Sequence, residues 1–121
     1  MGNPFVHVEL MTNDVQKAKE FYGKLFKWEL EDVPMETGPY TMIKVGEGTG
    51  GGMLKNPIPG ATSSWIAYVQ VDDIDEATAR ARQLGASVMR ESVEASNFGW
   101  FSIITDPTGA MLALWEPKPR S

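Results

Sequence analysis

The stretch Phe5–Phe26 reads FVHVELMTNDVQKAKEFYGKLF, and it contains a change of period that decides the fold. From Phe5 to Met11 the residues alternate, with Phe5, His7, Glu9 and Met11 on one face and Val6, Val8 and Leu10 on the other. That is the period of two that a strand requires. Thr12-Asn13-Asp14 then supplies side-chain oxygens able to cap a helix. Beyond the cap, Val15, Ala18, Phe21, Tyr22, Leu25 and Phe26 recur at spacings of three and four, which predicts an amphipathic helix. Trp28–Val33 and Tyr40–Val45 read as strands, with Pro34–Pro39 as the loop between them. Gly46–Gly52 reads as a turn or strand edge leading to Met53-Leu54, and it lacks the Lys-Ser/Thr ending of a phosphate loop.

The second half repeats this plan. Asp14 falls on Asp73, Val15 on Ile74, Ala18 on Ala77 and Leu25 on Leu84, a constant offset of 59 residues. At the same offset Thr41–Val45 falls on Trp100–Ile104. Strands are expected at Trp65–Val71, Ser87–Glu91, Trp100–Ile104 and Met111–Trp115, and a helix at Ile74–Leu84 closed by Gly85. Asp106-Pro107-Thr108-Gly109 marks a turn, and Glu94–Phe98 a mobile loop. Half of this chain would bury too little apolar surface to stand comfortably alone. The expectation is therefore one α+β domain over residues 1–121. It consists of two tandem βαβββ modules, about 4–55 and 64–117, joined by a linker at 56–63. Together they form a curved mixed sheet around a cavity. Glu116–Ser121, with prolines at 117 and 119, is expected to be a frayed tail.

Composition narrows the function. The chain has 121 residues, 42% of them hydrophobic, and a net charge of −5. An acidic protein without a basic face is a poor partner for nucleic acid or an anionic membrane. No apolar run approaches the roughly 20 residues of a membrane span, and no secretory signal is visible, so a cytoplasmic location is expected. Cysteine is absent, which excludes disulfides, thiolate metal sites and a cysteine nucleophile. A single histidine excludes a His-rich metal site within one chain.

Several segments resemble the vicinal oxygen chelate superfamily, which includes glyoxalase I, bleomycin-resistance proteins and extradiol dioxygenases. They are His7–Thr12 with Asp14, Phe21–Trp28, Val71–Asp75, Leu84-Gly85-Ala86 and Asp106–Ala110. The branch most similar is the lactoylglutathione-lyase-related one, whose activity is unassigned. The resemblance covers nearly the whole chain and implies paired modules curled around a cavity, and commonly a homodimer. It also implies four metal ligands, His or Gln on the first strand of each module and Glu on the last. Carried over, the first-strand positions fall on His7 and Ile66, and the second module's last-strand position falls on Ala113. The first module's last strand has no ligand side chain anywhere from Gly50 to Leu54. His7 is thus the only ligand position that survives. The expectation is no cofactor, with a weak divalent-metal site as the lesser alternative.

What remains for the cavity is Phe5, His7, Glu9 and Met11 from the first strand, and Ile66, Tyr68 and Gln70 from its counterpart. The last strand adds Met111, Ala113 and Trp115, with Trp28, Tyr40 and Trp100 at the mouth. An aromatic and thioether pocket with few polar handles suits a small, planar or cationic organic molecule. His7 reads equally as a half-buried strand histidine hydrogen-bonded to Glu9 or to a neighbouring strand. Glu9 reads as a general base, as a counter-charge for a cationic ligand, or as a side chain that points to solvent or pairs with a lysine across the sheet. Tyr68 and Trp115 read as core or as ligand platform, and the methionines as gap-fillers. The leading expectation is a glyoxalase/bleomycin-resistance-like protein that binds a small molecule without metal. The alternatives are a metal-independent lyase or isomerase using Glu9 or His7 as base, and a divalent-metal glyoxalase-type lyase.

Overall fold

The structure, a computed structural model, describes residues 2–35 and 38–119. In chain order its elements are β1 (Phe5–Thr12), α1 (Val15–Leu25), β2 (Glu29–Met35), β3 (Gly38–Lys44), β4 (Gly51–Lys55), β5 (Ser64–Gln70), α2 (Ile74–Gln83), β6 (Ser87–Ala95), β7 (Gly99–Thr105) and β8 (Met111–Pro117). This is an α+β fold in which β-α-β-β-β occurs twice. The chain divides into two compact units, one comprising His7–Ile66 and the other the N-terminal residues up to Val6 with the chain from Ala67 onward. Residues 3 and 4 join the second unit because the Gln70 N–H donates to the Pro4 carbonyl at 3.0 Å and the Asn3 amide donates to the Gln70 carbonyl at 2.9 Å.

In the first unit the strands run in the order β2-β3-β4-β1, antiparallel except for the parallel pair β1–β4. The Asp14 carboxylate caps α1 by accepting from the Lys17 N–H at 3.0 Å, and Thr12 Oγ1 accepts from the Asp14 N–H at 3.2 Å. Leu10, Ile43 and Met53 form the core beneath α1, covered by Val15, Ala18 and Tyr22. Trp28 and Leu30 complete that layer. In the segment expected as a loop, Pro34–Pro39, the described residues belong instead to the paired strands β2 and β3, with Pro34 opposite Pro39 and Met35 opposite Gly38. Proline is tolerated at 34 because β2 is the edge strand of its unit, and at 39 because it lies outside the β3–β4 pairing, which covers Thr41–Ile43. Glu36 and Thr37, within that expected loop, lie outside the described residues. The linker is held down: the Asn56 N–H donates to the Thr12 carbonyl at 2.9 Å, and the Asn13 N–H to Ser63 Oγ at 3.0 Å.

The second unit repeats the order as β5-β8-β7-β6 around a parallel β5–β8 pair. Asp73 caps α2 through the Glu76 N–H, and Gly85, at φ 103°, turns the chain out of it. Ile74, Ile104 and Leu114 form the core beneath α2. Strand β6 is longer than the Ser87–Glu91 expected, because it continues through two register shifts. Between Val88 and Arg90, and again between Arg90 and Val93, one extra residue is inserted against β7. Ser92 takes a positive φ of 45° in the second bulge, and its N–H donates to Ser102 Oγ at 2.9 Å.

The strand register corrects the repeat. The offset of 59 holds through the helices, but beyond β6 it becomes 61. Met42, opposite Gly52, corresponds to Ile103, opposite Ala113. An even shift preserves strand parity, so every residue keeps its face although its partner changes.

Two further expectations are corrected. Glu94 and Ala95 belong to β6, paired with Trp100 and Gly99, rather than to a mobile loop. Residues 116–118 are tied down rather than frayed. Glu116 Oε1 accepts from the Ile74 N–H at 2.8 Å, the Lys118 N–H donates to the Phe98 carbonyl at 2.9 Å, and the Lys118 ammonium pairs with Glu94. Arg120 and Ser121 lie outside the described residues.

Candidate functional site

On β1, Leu10 faces α1, so Glu9 and Met11 point to the opposite face of the first unit's sheet. Register places Glu9 opposite Gly52, and Gly52 opposite Met42. Tyr40 is two residues from Met42 on β3 and therefore shares this face. Here the structure brings His7, Glu9 and Tyr40 together. The Tyr40 hydroxyl donates to Glu9 Oε1 at 2.8 Å, and His7 Nε2 lies 2.7 Å from the same hydroxyl. A phenol has one proton to give, and Tyr40 gives it to the carboxylate, so His7 is the donor in the other bond through Nε2–H. The result is a directional chain, imidazole to phenol to carboxylate.

Burial sets its electrostatics. Glu9 is only 5% exposed, while His7 and Tyr40 are half-buried. Desolvation lowers the His7 pKa below its ordinary 6.5, so the imidazole is neutral at pH 7. Desolvation also raises the Tyr40 pKa above its ordinary 10, and the charge of Glu9 and the bond to it push further in that direction. The phenol therefore stays protonated and serves as a fixed donor.

Gly52 is part of this arrangement. A Cβ there would lie 2.0 Å from Tyr40 Oη and 2.2 Å from its Cζ, so the Tyr40 ring occupies the space a β4 side chain would need. The neighbouring Gly51 is equally constrained, with a Cβ falling 2.2 Å from the Val8 carbonyl oxygen.

In the second unit the face turned away from α2 carries the corresponding residues. Tyr68 pairs with Ala113 and Gln70 with Trp115. The Tyr68 ring lies 6.3 Å from that of Phe101 and 6.2 Å from that of Trp115, with Met111 further along β8 opposite Thr105. Tyr68 and Ala113 are buried, and Gln70 is half-buried with its backbone tied to Asn3 and Pro4. In the first unit Ile66 is 2% exposed and Met11 1%, whereas Phe5, in the second unit, is 65% exposed.

Trp28 and Trp100 are separated from these groups. Trp28 packs under α1, stacked on Tyr22 at 5.7 Å, and Trp100 packs under α2 with the Lys118 ammonium 5.1 Å from its ring centre. Sequence reading missed Phe101 and Gly52. The parity of β7 was the available signal for Phe101. Gly52 was concealed because the register of β4 depends on pairing rather than on pattern.

Register also places the ligand position that the sequence left open. Glu9 corresponds to Tyr68, and their parallel partners are Gly52 and Ala113. The residues at the four positions are thus His7, Ile66, Gly52 and Ala113, a donor set that does not fit a divalent metal. Among the described residues no group of three or more His, Asp or Glu could hold one.

Comparison with known proteins agrees with this layout. The family model for the Glyoxalase/Bleomycin resistance protein/Dioxygenase superfamily matches residues 5–114. "Putative glyoxylase CFP32" of Mycobacterium tuberculosis is 30% identical over 113 residues, covering 93% of this chain and 43% of that protein. The anthracycline biosynthesis protein DauV of a Streptomyces species is 24% identical over 123 residues, covering 89% of this chain and 45% of that one. The chain spans less than half the length of the curated relatives it matches.

Among solved structures, the hypothetical protein BH1468 of Bacillus halodurans superimposes with a TM-score of 0.70 at 16% identity, covering 100% of this chain and 99% of that one. A methylmalonyl-CoA epimerase from Mycobacterium tuberculosis superimposes at 0.67 and 17% identity, covering 95% and 88%. At these identities the structural likeness bears on the fold alone. The family model, matched over nearly the whole chain, establishes that this protein belongs to the Glyoxalase/Bleomycin resistance protein/Dioxygenase superfamily.

Proposed function

We propose that the chain binds a small organic molecule on the β1–β3 face that carries His7, Glu9 and Tyr40, and that it does so without a divalent metal. The observation that carries this reading is the hydrogen-bonded chain of those three side chains, built around a carboxylate only 5% exposed. Burying a carboxylate is costly, and the usual compensation is a role or a partner. Glu9 has the Tyr40 phenol as a donor, and the face offers a carboxylate, a phenol and an imidazole to orient a planar or cationic ligand. Met11 and Ile66, which belong to the same unit, are the apolar surfaces proposed to take the ligand body.

Thermal-shift screening against cationic and planar compounds tests this. A ligand at one hundred times its dissociation constant stabilises by about 2.7 kcal/mol. The expected result is such a shift, reduced by Glu9→Gln. A flat response across a broad panel overturns the reading.

A second reading is favoured by the lowered pKa of His7, which leaves its base form present at pH 7. In it the protein is a metal-independent lyase or isomerase in which Glu9 or His7 removes a proton from an activated carbon acid. One structural neighbour is an epimerase, a relation in fold. Full turnover of such a substrate by a Glu9→Gln/His7→Phe variant would exclude this reading. The third reading, a divalent-metal lyase, is suggested by the glyoxylase name of a relative. One equivalent of nickel, zinc or iron in protein purified without a tag would establish it over the other two.

The protein is further proposed to be a cytoplasmic homodimer that engages neither nucleic acid nor membrane. Among the described residues no helix is long and apolar enough to cross a membrane. Light scattering on the eluted protein reads the oligomeric state directly.

A further inference from the structure

We infer that Tyr40 is the positioning residue of this site, and that Gly52 is its obligate partner: the phenol holds Glu9 and His7 in one orientation, and the missing side chain on β4 is what admits it. The inference rests on the functional reading above for its purpose, but its geometry stands apart from any ligand.

The protein contains its own comparison. Because the offset past β6 is 61, Tyr40 and Gly52 correspond to Phe101 and Ala113, and Glu9 corresponds at 59 to Tyr68. Phe101 and Tyr68 form an aromatic pair 6.3 Å apart, and residue 113 carries a methyl group that is fully buried. Where the first unit has carboxylate, phenol and glycine, the second has phenol, phenyl and alanine. In the first unit the ring lies directly over its glycine, at distances of 2.0 to 2.3 Å from a built Cβ. No side chain is compatible with that ring position. The strand position at which the superfamily resemblance implies a carboxylate ligand is thus filled from β3, by a group that donates a proton.

The single histidine makes the test clean, since a ¹⁵N-histidine-labelled sample has one imidazole to read. In the ligand-free protein at neutral pH the expected spectrum is that of the Nε2–H tautomer. Tyr40→Phe, which removes the acceptor oxygen alone, should shift the Nε2 resonance of that imidazole, and Glu9→Gln, which keeps an acceptor for the phenol, should leave it in place. Gly52→Ala should displace the ring and produce the same spectral change as Tyr40→Phe. The same substitution in a Tyr40→Ala background should leave the melting temperature of that background unchanged. An Nδ1–H tautomer in the parent, an unchanged spectrum in Tyr40→Phe, or a Gly52→Ala penalty that persists without the ring each overturns the inference. Because every readout is made without ligand, failure of the ligand screen alone counts against the functional reading and leaves this one standing.

Discussion

Tyr40→Phe provides the sharpest test of the hydrogen-bonded chain. The substitution deletes one oxygen and no carbon, so packing on the β1–β3 face is preserved. That oxygen makes two hydrogen bonds, 2.8 Å to Glu9 and 2.7 Å to His7. A net hydrogen bond to a charged group contributes about 1.5–3 kcal/mol and one between neutral groups about 1 kcal/mol. The sum, about 3 kcal/mol, is the expected loss. For a domain of 121 residues, 1 kcal/mol corresponds to roughly 4 °C, so the melting temperature should fall by about 12 °C. Guanidinium unfolding should show the same loss as a shift in midpoint with an unchanged slope. A double-mutant cycle with Glu9→Met separates the pair from the single sites. Once the carboxylate is gone the phenol proton has less to lose, so the two penalties should fall short of additivity by about 1.5–3 kcal/mol. If Tyr40→Phe costs less than about 0.5 kcal/mol, or if the two substitutions add within about 0.5 kcal/mol, the hydrogen-bonded chain contributes nothing in solution.

Three other outcomes are expected. Because burial depresses the folded pKa of His7, the unfolded chain binds the extra proton between that value and about 6.5. This contribution to stability is complete above about pH 6.5 and is lost on acidification at up to about 1.4 kcal/mol per pH unit, so melting curves of His7→Phe should be flatter across that window than those of the parent. Chelator treatment should leave both the melting temperature and the histidine resonances unchanged; a fall on chelation, restored by one divalent metal, would contradict the donor set. Ser102→Ala should cost about 2–3 kcal/mol, because the fully buried Ser102 Oγ joins the Ser92 N–H to the fully buried Thr78 Oγ1. In a Ser92→Gly background, where the positive φ no longer needs holding, denaturant titration should show a smaller penalty.

The sequence by itself determined which residues are strand, cap and helix, because those choices are made within a few neighbouring residues. The alternation from Phe5 to Met11, the Asp14 and Asp73 caps and the spacing of three and four in both helices were legible and correctly placed to within a residue or two. The duplication was legible for the same reason, since caps and periods recur at a fixed distance. The sequence also put Glu9 and His7 on a common face, as parity alone requires.

Pairing and volume were decided only in three dimensions. The two bulges in β6 insert two residues into the second repeat without altering any local pattern, so no reading of single strands could detect them. Pro34 and Pro39 read as loop because their neighbours across the hairpin are invisible in one dimension. Trp28 and Trp100 have the composition of a binding site, yet the helices cover them, and burial under a helix depends on which face the strand presents. Above all, the meeting of Tyr40 with Glu9 and His7 joins residues 31 and 33 positions apart, across a gap left by a glycine on a third strand. A hydrogen bond is made by atoms within about 3 Å, and only the register of three strands brings those atoms there.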